Sequence, residues 1–588
     1  MRLLWLGFLG AATVSIIAIS AFGQELGREI CPRPGVGSIV PEPKDLRSHD
    51  GTLKVELIYR SFNDAQGHAR YCYVDTDGSE APTLRVSPGD WLVLSFKNEA
   101  GLMTPSTAQT KQAAPSMHSG KSMPIGAGHV KGTLPSNACA GAPMQSASTN
   151  LHFHGLTVPS ACHQDDVLHT LIQPGDGPFE YRFQVPQDEP PGLYWYHPHV
   201  HGSTKAQVLG GASGALIVEG IERAQPDLAG LPERVLVIRD QDLLYPSASP
   251  STNASGEFPP VVLDRDGDVI NTGTGTGKPA EDLSLNFVPV PYPDYPPAII
   301  TMKPAERQLW RVLNASSITY LNLQVLFNGL AQAVAVVALD GVPISENGLP
   351  GNRMIWQNHL GVPPGGRTEF VLQAPPAGTR ASLVTRSVNT GSGGENDPTR
   401  PIATILARSD APEPRSKLSE SPVPLLPPRT PWIGKVTPVR TRKLYFSETP
   451  QDPRDPNSPI TFYLTVEGQE RKPFDPNSEI PDIVTHQGDV EDWIIENRTV
   501  ELHAFHIHQV HFMLLEWFGL PVNEPFLRDT VNVPFWNGKN PVYPRVKLRM
   551  DFRDPNSIGL FPYHCHLLEH EDAGMMGLIR VEPPVSAQ

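Results

Sequence analysis

The chain has 588 residues, with 47 Lys and Arg against 62 Asp and Glu, for a formal net charge of −15. At about four times the length of a typical domain it excludes one small fold, and its acidity disfavours nucleic acid as a partner, since that calls for a basic face. The 63 Pro and 50 Gly, about 19% of the chain against a usual total near 12%, exclude long helices: Pro clashes in a helix interior but sits easily in turns and at strand edges.

Met1–Gly23 carries one positive charge, Arg2, then an uncharged run that ends in Ala21-Phe22-Gly23. It reads as a secretory signal, which places the mature protein in the periplasm or outside the cell. The same run is also long enough to serve as an uncleaved anchor. No later segment of that length is apolar, so no stable membrane partner is expected. In an oxidising compartment Cys31, Cys72, Cys139 and Cys162 can form two disulfides by any of three pairings. The fifth cysteine, Cys565, lies between two histidines.

Three stretches share one pattern: Asp90 to Asn98, Glu306 to Asn314 and Asp489 to Asn497, each with an acid eight residues before an Asn and a turn-then-strand composition between. A second repeat, G-L-x-x-Y-H-x-H, appears at Gly192–His199 and Gly559–His566, each followed by a Gly and an apolar strand. These repeats divide the chain into domain 1 (24–221), domain 2 (222–415), a Pro-rich linker (416–439) and domain 3 (440–588), all built of strands. Domain 1 carries an insertion at about 99–148. Domain 2 has Tyr320, Leu323 and Val325 where domain 3 has histidines, which makes it a spacer without ligands.

Four histidine clusters follow in order: His152-x-His154, His197-x-His199, His503-x-x-His506-x-His508, and His564-Cys565-His566 with His570 and Met575 beyond. On a strand alternate side chains share a face, so each H-x-H presents two imidazoles together, while Cys565 and His503 turn to the opposite face. Cys, two His and a weak Met make a blue-copper ligand set. The remaining eight imidazoles suit a multi-copper cluster shared by domains 1 and 3. His566-x-x-Glu569-His570 also matches a zinc-peptidase motif, but that reading leaves Cys565 and three clusters unused. Gly273–Lys278 lacks the spacing of a phosphate loop and reads as a turn. Met117-His118 and Met123 in the insertion could bind Cu(I); a loop rich in Ser, Gly and Ala is the plainer reading.

The whole mature chain resembles the multicopper oxidases, specifically their three-domain laccase-like and copper-resistance members. The resemblance implies three cupredoxin-like Greek-key domains and four copper ions: type 1 at His503, Cys565, His570 and Met575, type 2 at His152 and His506, and paired type 3 at His154, His197, His199, His508, His564 and His566. It implies four one-electron oxidations of a phenol, an aromatic amine or a metal ion such as Cu(I), Fe(II) or Mn(II), coupled to reduction of O2 to water. Glu571 occupies the place of a proton-supplying acid, and Asp165 or Asp166 lies nearest the place of a second. A non-catalytic copper carrier or envelope scaffold is the alternative of another class, and a full set of twelve ligands argues against it.

Overall fold

A computed structural model describes residues 30–101, 138–247 apart from Ala142, 278–420, and 429–584 apart from Pro453 and 455–457. The leader, the candidate Cu(I) residues of the insertion and Gly273–Gly277 lie outside these residues. The chain is all-β, with 44% strand and 5% helix, and no helix among the described residues is long and apolar enough to cross a membrane. Among the described residues six sheets form three successive sandwiches, each around its own apolar core.

The threefold repeat is structural. In each sandwich the strand ending in the repeated Asn pairs in parallel with an earlier strand, placing Asn98 opposite Tyr59, Asn314 opposite Ile238 and Asn497 opposite Phe446. The acid eight residues before caps its own turn, accepting the amide three residues back: Ser87 N to Asp90 at 2.7 Å, Lys303 N to Glu306 at 2.9 Å and His486 N to Asp489 at 3.2 Å. Each buried Asn then pins the departing chain. The Asn98 amide donates to Ala147 and Ile172 carbonyls, that of Asn314 to Thr319 and Val362, and that of Asn497 to Glu501 and Val533. An Asn at this position satisfies two buried carbonyls that would otherwise be costly to bury, and in domain 3 it fixes the loop that leads directly into His503.

The second repeat also has a physical reason. Tyr196 lies across from Gly214 and Tyr563 across from Gly577, and each ring covers its glycine so closely that a Cβ would fall 2.2 Å and 2.5 Å from ring atoms. The sandwiches are joined by buried charge. Arg311 binds Glu233 at 2.6 Å and also Glu369, and Glu369 accepts the amide of Leu193 from domain 1 at 2.8 Å. Of the three possible disulfide pairings the structure adopts Cys31–Cys72 and Cys139–Cys162. The expected linker contributes strand Ser416–Lys417, which pairs with Pro232–Gln241 of the middle sandwich, and a short helical turn, Ile433–Lys435, packed beneath domain 3.

Candidate metal centre

The four histidine clusters converge on two adjacent sites. Strand His503–Ile507 runs antiparallel to Gly559–Cys565, with Phe505 opposite Cys565 and His506 opposite His564. Alternation therefore sends His503 and Cys565 to one face and His506 and His564 to the other. On the first face, His503 Nδ1 lies 3.6 Å and His570 Nδ1 3.9 Å from Cys565 Sγ, with 3.3 Å between the two nitrogens. Thr499 Oγ1 holds His503 Nε2 at 2.9 Å, leaving Nδ1 to face the sulfur. Met575 is fully buried in the same core, and its carbonyl accepts the Cys565 amide while its own amide donates to His570. The short helix Leu568–Asp572 sends His570 to this site while His566 joins the other, so the zinc-peptidase pair is not on one face.

On the second face eight imidazoles from the outer sandwiches pack together, all at 3% exposure or less. His199, His508 and His564 have ring nitrogens within 4.8 Å of one another, as do His152, His506 and His508. His154 sits 5.0 Å from His566 and 5.7 Å from His197 by ring centroids. In several rings one nitrogen is held by the protein and the other faces inward unpartnered. Nδ1 of His152 bonds Asp165 at 3.0 Å, Nδ1 of His197 the Pro198 carbonyl at 2.9 Å, and Nδ1 of His506 the Asp529 carbonyl at 2.9 Å. The buried Nε2 atoms of these three rings have no partner, and neither do Nδ1 of His154 and of His508 or either nitrogen of His566. His564 Nε2 faces Nε2 of both His199 and His508 at 3.3 Å.

Burial, reinforced by neighbouring imidazoles, holds His152, His154, His508 and His566 well below their usual pKa, and burial takes His506 down to about 4 against the opposing pull of Asp529, so the rings are neutral and their inward nitrogens carry lone pairs. A buried polar atom without a partner costs about 1–3 kcal/mol, and clustered lone pairs repel one another. A set of cations bound among them removes both costs, and imidazole with an orienting partner on its second nitrogen is the usual metal-ligand arrangement. The residues fit copper.

Two buried carboxyls flank this cluster. Glu571 lies 3.3 Å from His564 Nδ1 and 3.6 Å from His199 Nδ1. Asp165 grips His152, accepts the Phe153 amide at 2.9 Å and is held by Gln509 Nε2 at 2.6 Å. Burial, with Asp572 adding to it at Glu571, pushes both well above the carboxylate range. Asp166 turns away to His169 at 2.8 Å, so the structure brings only one of the two adjacent aspartates to the histidines. Of the histidines given no ligand role, His169 pairs with Asp166, His163 bonds the Glu180 carbonyl at 2.6 Å, His201 meets Phe474 edge to face, and His511 is buried beside Tyr194.

The sequence-level reading missed Asp529 and Arg367. Asp529 Oδ1 lies 3.3 Å from His154 Nε2, and Arg367 of the middle sandwich binds both its oxygens, at 2.7 and 2.5 Å. The middle sandwich thus reaches the surroundings of His154 through Arg367. Gly155, directly after His154, was the one available signal. It has φ +90°, and a Cβ there would sit 2.6 Å from both Arg367 Nη2 and Asp529 Oδ2.

Residues 144–223 and 453–585 match family models described as multicopper oxidase. Over these two stretches the chain is similar to the multicopper oxidases. It is a copper oxidoreductase using O2 as acceptor, and the family implies four copper ions, one type 1, one type 2 and two type 3. A multicopper oxidase of Staphylococcus haemolyticus is 25% identical over 442 residues, 74% of this chain and 77% of that protein. A laccase of Bacillus subtilis is 22% identical over 463 residues, 74% and 80% of the two chains. Among solved structures, a Campylobacter jejuni multicopper oxidase described as a metallo-oxidase has the same fold, with TM-score 0.61, 22% identity and coverage of 94% and 96%. One from Aquifex aeolicus has TM-score 0.61, 19% identity and coverage of 93% and 99%.

Proposed function

We propose that this protein is an exported, three-domain multicopper oxidase of the laccase type that takes electrons one at a time from a phenol or aromatic amine at the edge of His570. The domains span 24–221, 222–415 and 440–588. His503, Cys565, His570 and Met575 hold type 1 copper, His152 and His506 type 2, and His154, His197, His199, His508, His564 and His566 the type 3 pair. When bound there, copper supplies one-electron transfer at the first site and four-electron reduction of O2 to water at the second.

The observation that carries this reading is the triangle of His503, Cys565 and His570 joined by two peptide bonds, one on each side of Cys565, to His564 and His566 of the inner cluster. His570 keeps 6% exposure while Cys565 has none, so a reductant reaches the imidazole edge and not the sulfur. Phe462 stacks on that imidazole at 4.1 Å and offers an aromatic wall, and Glu501 lies 3.5 Å from His570 Nε2. At the inner cluster, Glu571 and Asp165 stand on different sides of the histidines as the acids that supply protons to reduced O2, within the hydrogen-bond reach that general acid catalysis needs.

A metal-ion reductant is the second reading. It is favoured by Glu448 and Glu395, which join Glu501 near the same edge and help burial push its carboxyl up to about 9. The test is copper quantification with an absorption spectrum, then O2 uptake with a phenol set against Fe(II), Cu(I) and Mn(II). About four coppers per chain with a strong visible thiolate band and faster uptake with the phenol support the proposal. Faster uptake with a metal ion selects the second reading. A fully loaded protein that oxidises none of them is a carrier.

A further inference from the structure

The middle sandwich supplies no ligand, yet its segment Gly365–Arg367 lies against the cluster. Gly365 packs on His566 so closely that a Cβ would fall 2.7 Å from Nε2. Two residues on, the Arg367 side chain enters a fully buried site between all three sandwiches. Its Nε donates to the Leu193 carbonyl of domain 1 at 3.1 Å and its Nη1 and Nη2 to the two oxygens of Asp529 of domain 3. We infer that Arg367, through this two-pronged grip on Asp529, is a positioning residue for His154 and His506, so that the middle sandwich completes the type 2 end of the inner cluster. This deepens the functional reading above and rests on its ligand assignment.

The chain of contacts is short. Asp529 touches both rings: Oδ1 lies 3.3 Å from His154 Nε2 and 3.7 Å from His506 Nδ1, and its carbonyl accepts from His506 Nδ1 at 2.9 Å. The two imidazoles stack at 3.8 Å and 12°. Anchoring Nε2 of one and Nδ1 of the other leaves His154 Nδ1 and His506 Nε2 as the unpartnered, inward atoms. Thr530 Oγ1 donates to the same Oδ1 at 2.8 Å. Asp340 ties the assembly from the other side, accepting the Arg367 amide at 2.9 Å and the Thr530 amide at 3.3 Å.

A planar guanidinium fixes both carboxylate oxygens at once, whereas an ammonium is a single point charge. Without the fork, Asp529 becomes a buried charge with no cation and is free to rotate. His154 then loses the partner that selects its inward nitrogen. An outer partner of this kind typically matters 10–100-fold in metal affinity.

The test compares wild-type holoenzyme with Arg367→Lys and Arg367→Met by copper content, the type 2 electron paramagnetic resonance signal, the visible thiolate band and the melting temperature of the apoprotein. Arg367→Met is expected to lose at least one copper and the type 2 signal while keeping the thiolate band, with Arg367→Lys intermediate. The Lys variant keeps a buried cation and carries the test if Arg367→Met does not fold. Arg367→Met combined with Asp529→Asn removes both charges and is expected to regain apoprotein stability without regaining the type 2 signal, a split that a purely structural ion pair does not give. Wild-type copper content and an unchanged type 2 spectrum in Arg367→Lys and in any folded Arg367→Met overturn the inference. A wild-type protein that lacks bound copper overturns the functional reading instead.

Discussion

Gly155→Ala isolates the ion pair beside the histidines without touching a charged residue. Gly155 has φ +90°, and its absent Cβ position is 2.6 Å from Arg367 Nη2, 2.6 Å from Asp529 Oδ2 and 2.9 Å from Tyr194 Cδ1. An L-residue in the left-handed region costs about 1–2 kcal/mol. Pushing the guanidinium off a buried carboxylate costs a further ~3–5 kcal/mol, because a charge is left unpaired in the interior. The expected loss is therefore about 4–7 kcal/mol, a large part of a typical stability margin. Gly468→Ala is the control: it has the same φ of +90° but nothing within 4 Å of the added carbon, so only the backbone cost of about 1–2 kcal/mol applies. Urea unfolding of the two apoprotein variants and the wild type, compared at a common m-value, reads the difference. If Gly155→Ala costs no more than Gly468→Ala, the pair is not held by that close approach and the packing account of H-F-H-G is wrong.

Asp165→Asn should slow O2 reduction by about 10²-fold or more, the range of a lost general acid, with the visible thiolate band intact, whereas Asp166→Asn leaves turnover near wild type; equal effects in the two variants contradict the separation seen in the structure. Met575→Leu should raise the type 1 potential in a redox titration, since the axial ligand tunes it; no rise removes Met575 from the ligand set. Replacing Cys139 and Cys162, 23 residues apart, by Ala should cost about 3 kcal/mol in urea unfolding, from the released loop entropy. Glu189 is buried, and burial pushes its carboxyl up to about 8, so the folded state holds a proton that the unfolded chain releases near pH 4.5. That contribution is present below the unfolded pKa and is lost as pH rises towards 8. Glu189→Gln should therefore gain stability relative to wild type on going from pH 5 to pH 8.5; a pH-independent difference refutes the assignment.

The histidine clusters were legible because strand alternation is a local property: two residues of separation put two imidazoles on one face, and the odd residue between them, Cys565, had to face away. The acid-to-Asn repeat was legible for the same reason, since the turn it caps and the loop it pins are adjacent in sequence. Parity did not decide between Asp165 and Asp166. Neighbouring carboxylates face differently, and only the fold shows that His152 meets the first. Arg367 and Asp529 were beyond reach because they are separated by 162 residues and neither belongs to a spaced motif. Disulfide pairing was open for the same reason, as four cysteines carry no register.

The register between His503–Ile507 and Gly559–Cys565 is what ties the two centres into one machine. With Phe505 opposite Cys565 and His506 opposite His564, one pair of strands shows the sulfur site on one face and the inner cluster on the other. A slip of one residue would exchange the faces of an entire strand and send Cys565 into the histidine cluster, so the route for electrons and the strand pairing are the same constraint. The backbone reinforces it: the Cys565 amide donates to Met575, and the His566 amide donates to Ala504 at 2.6 Å. Cys565 is thereby held from both neighbouring segments, while His570, which keeps 6% exposure, lies on the following short helix. In the proposed reading, electrons enter at His570 and pass to the inner cluster through the flanking peptide bonds of a single cysteine.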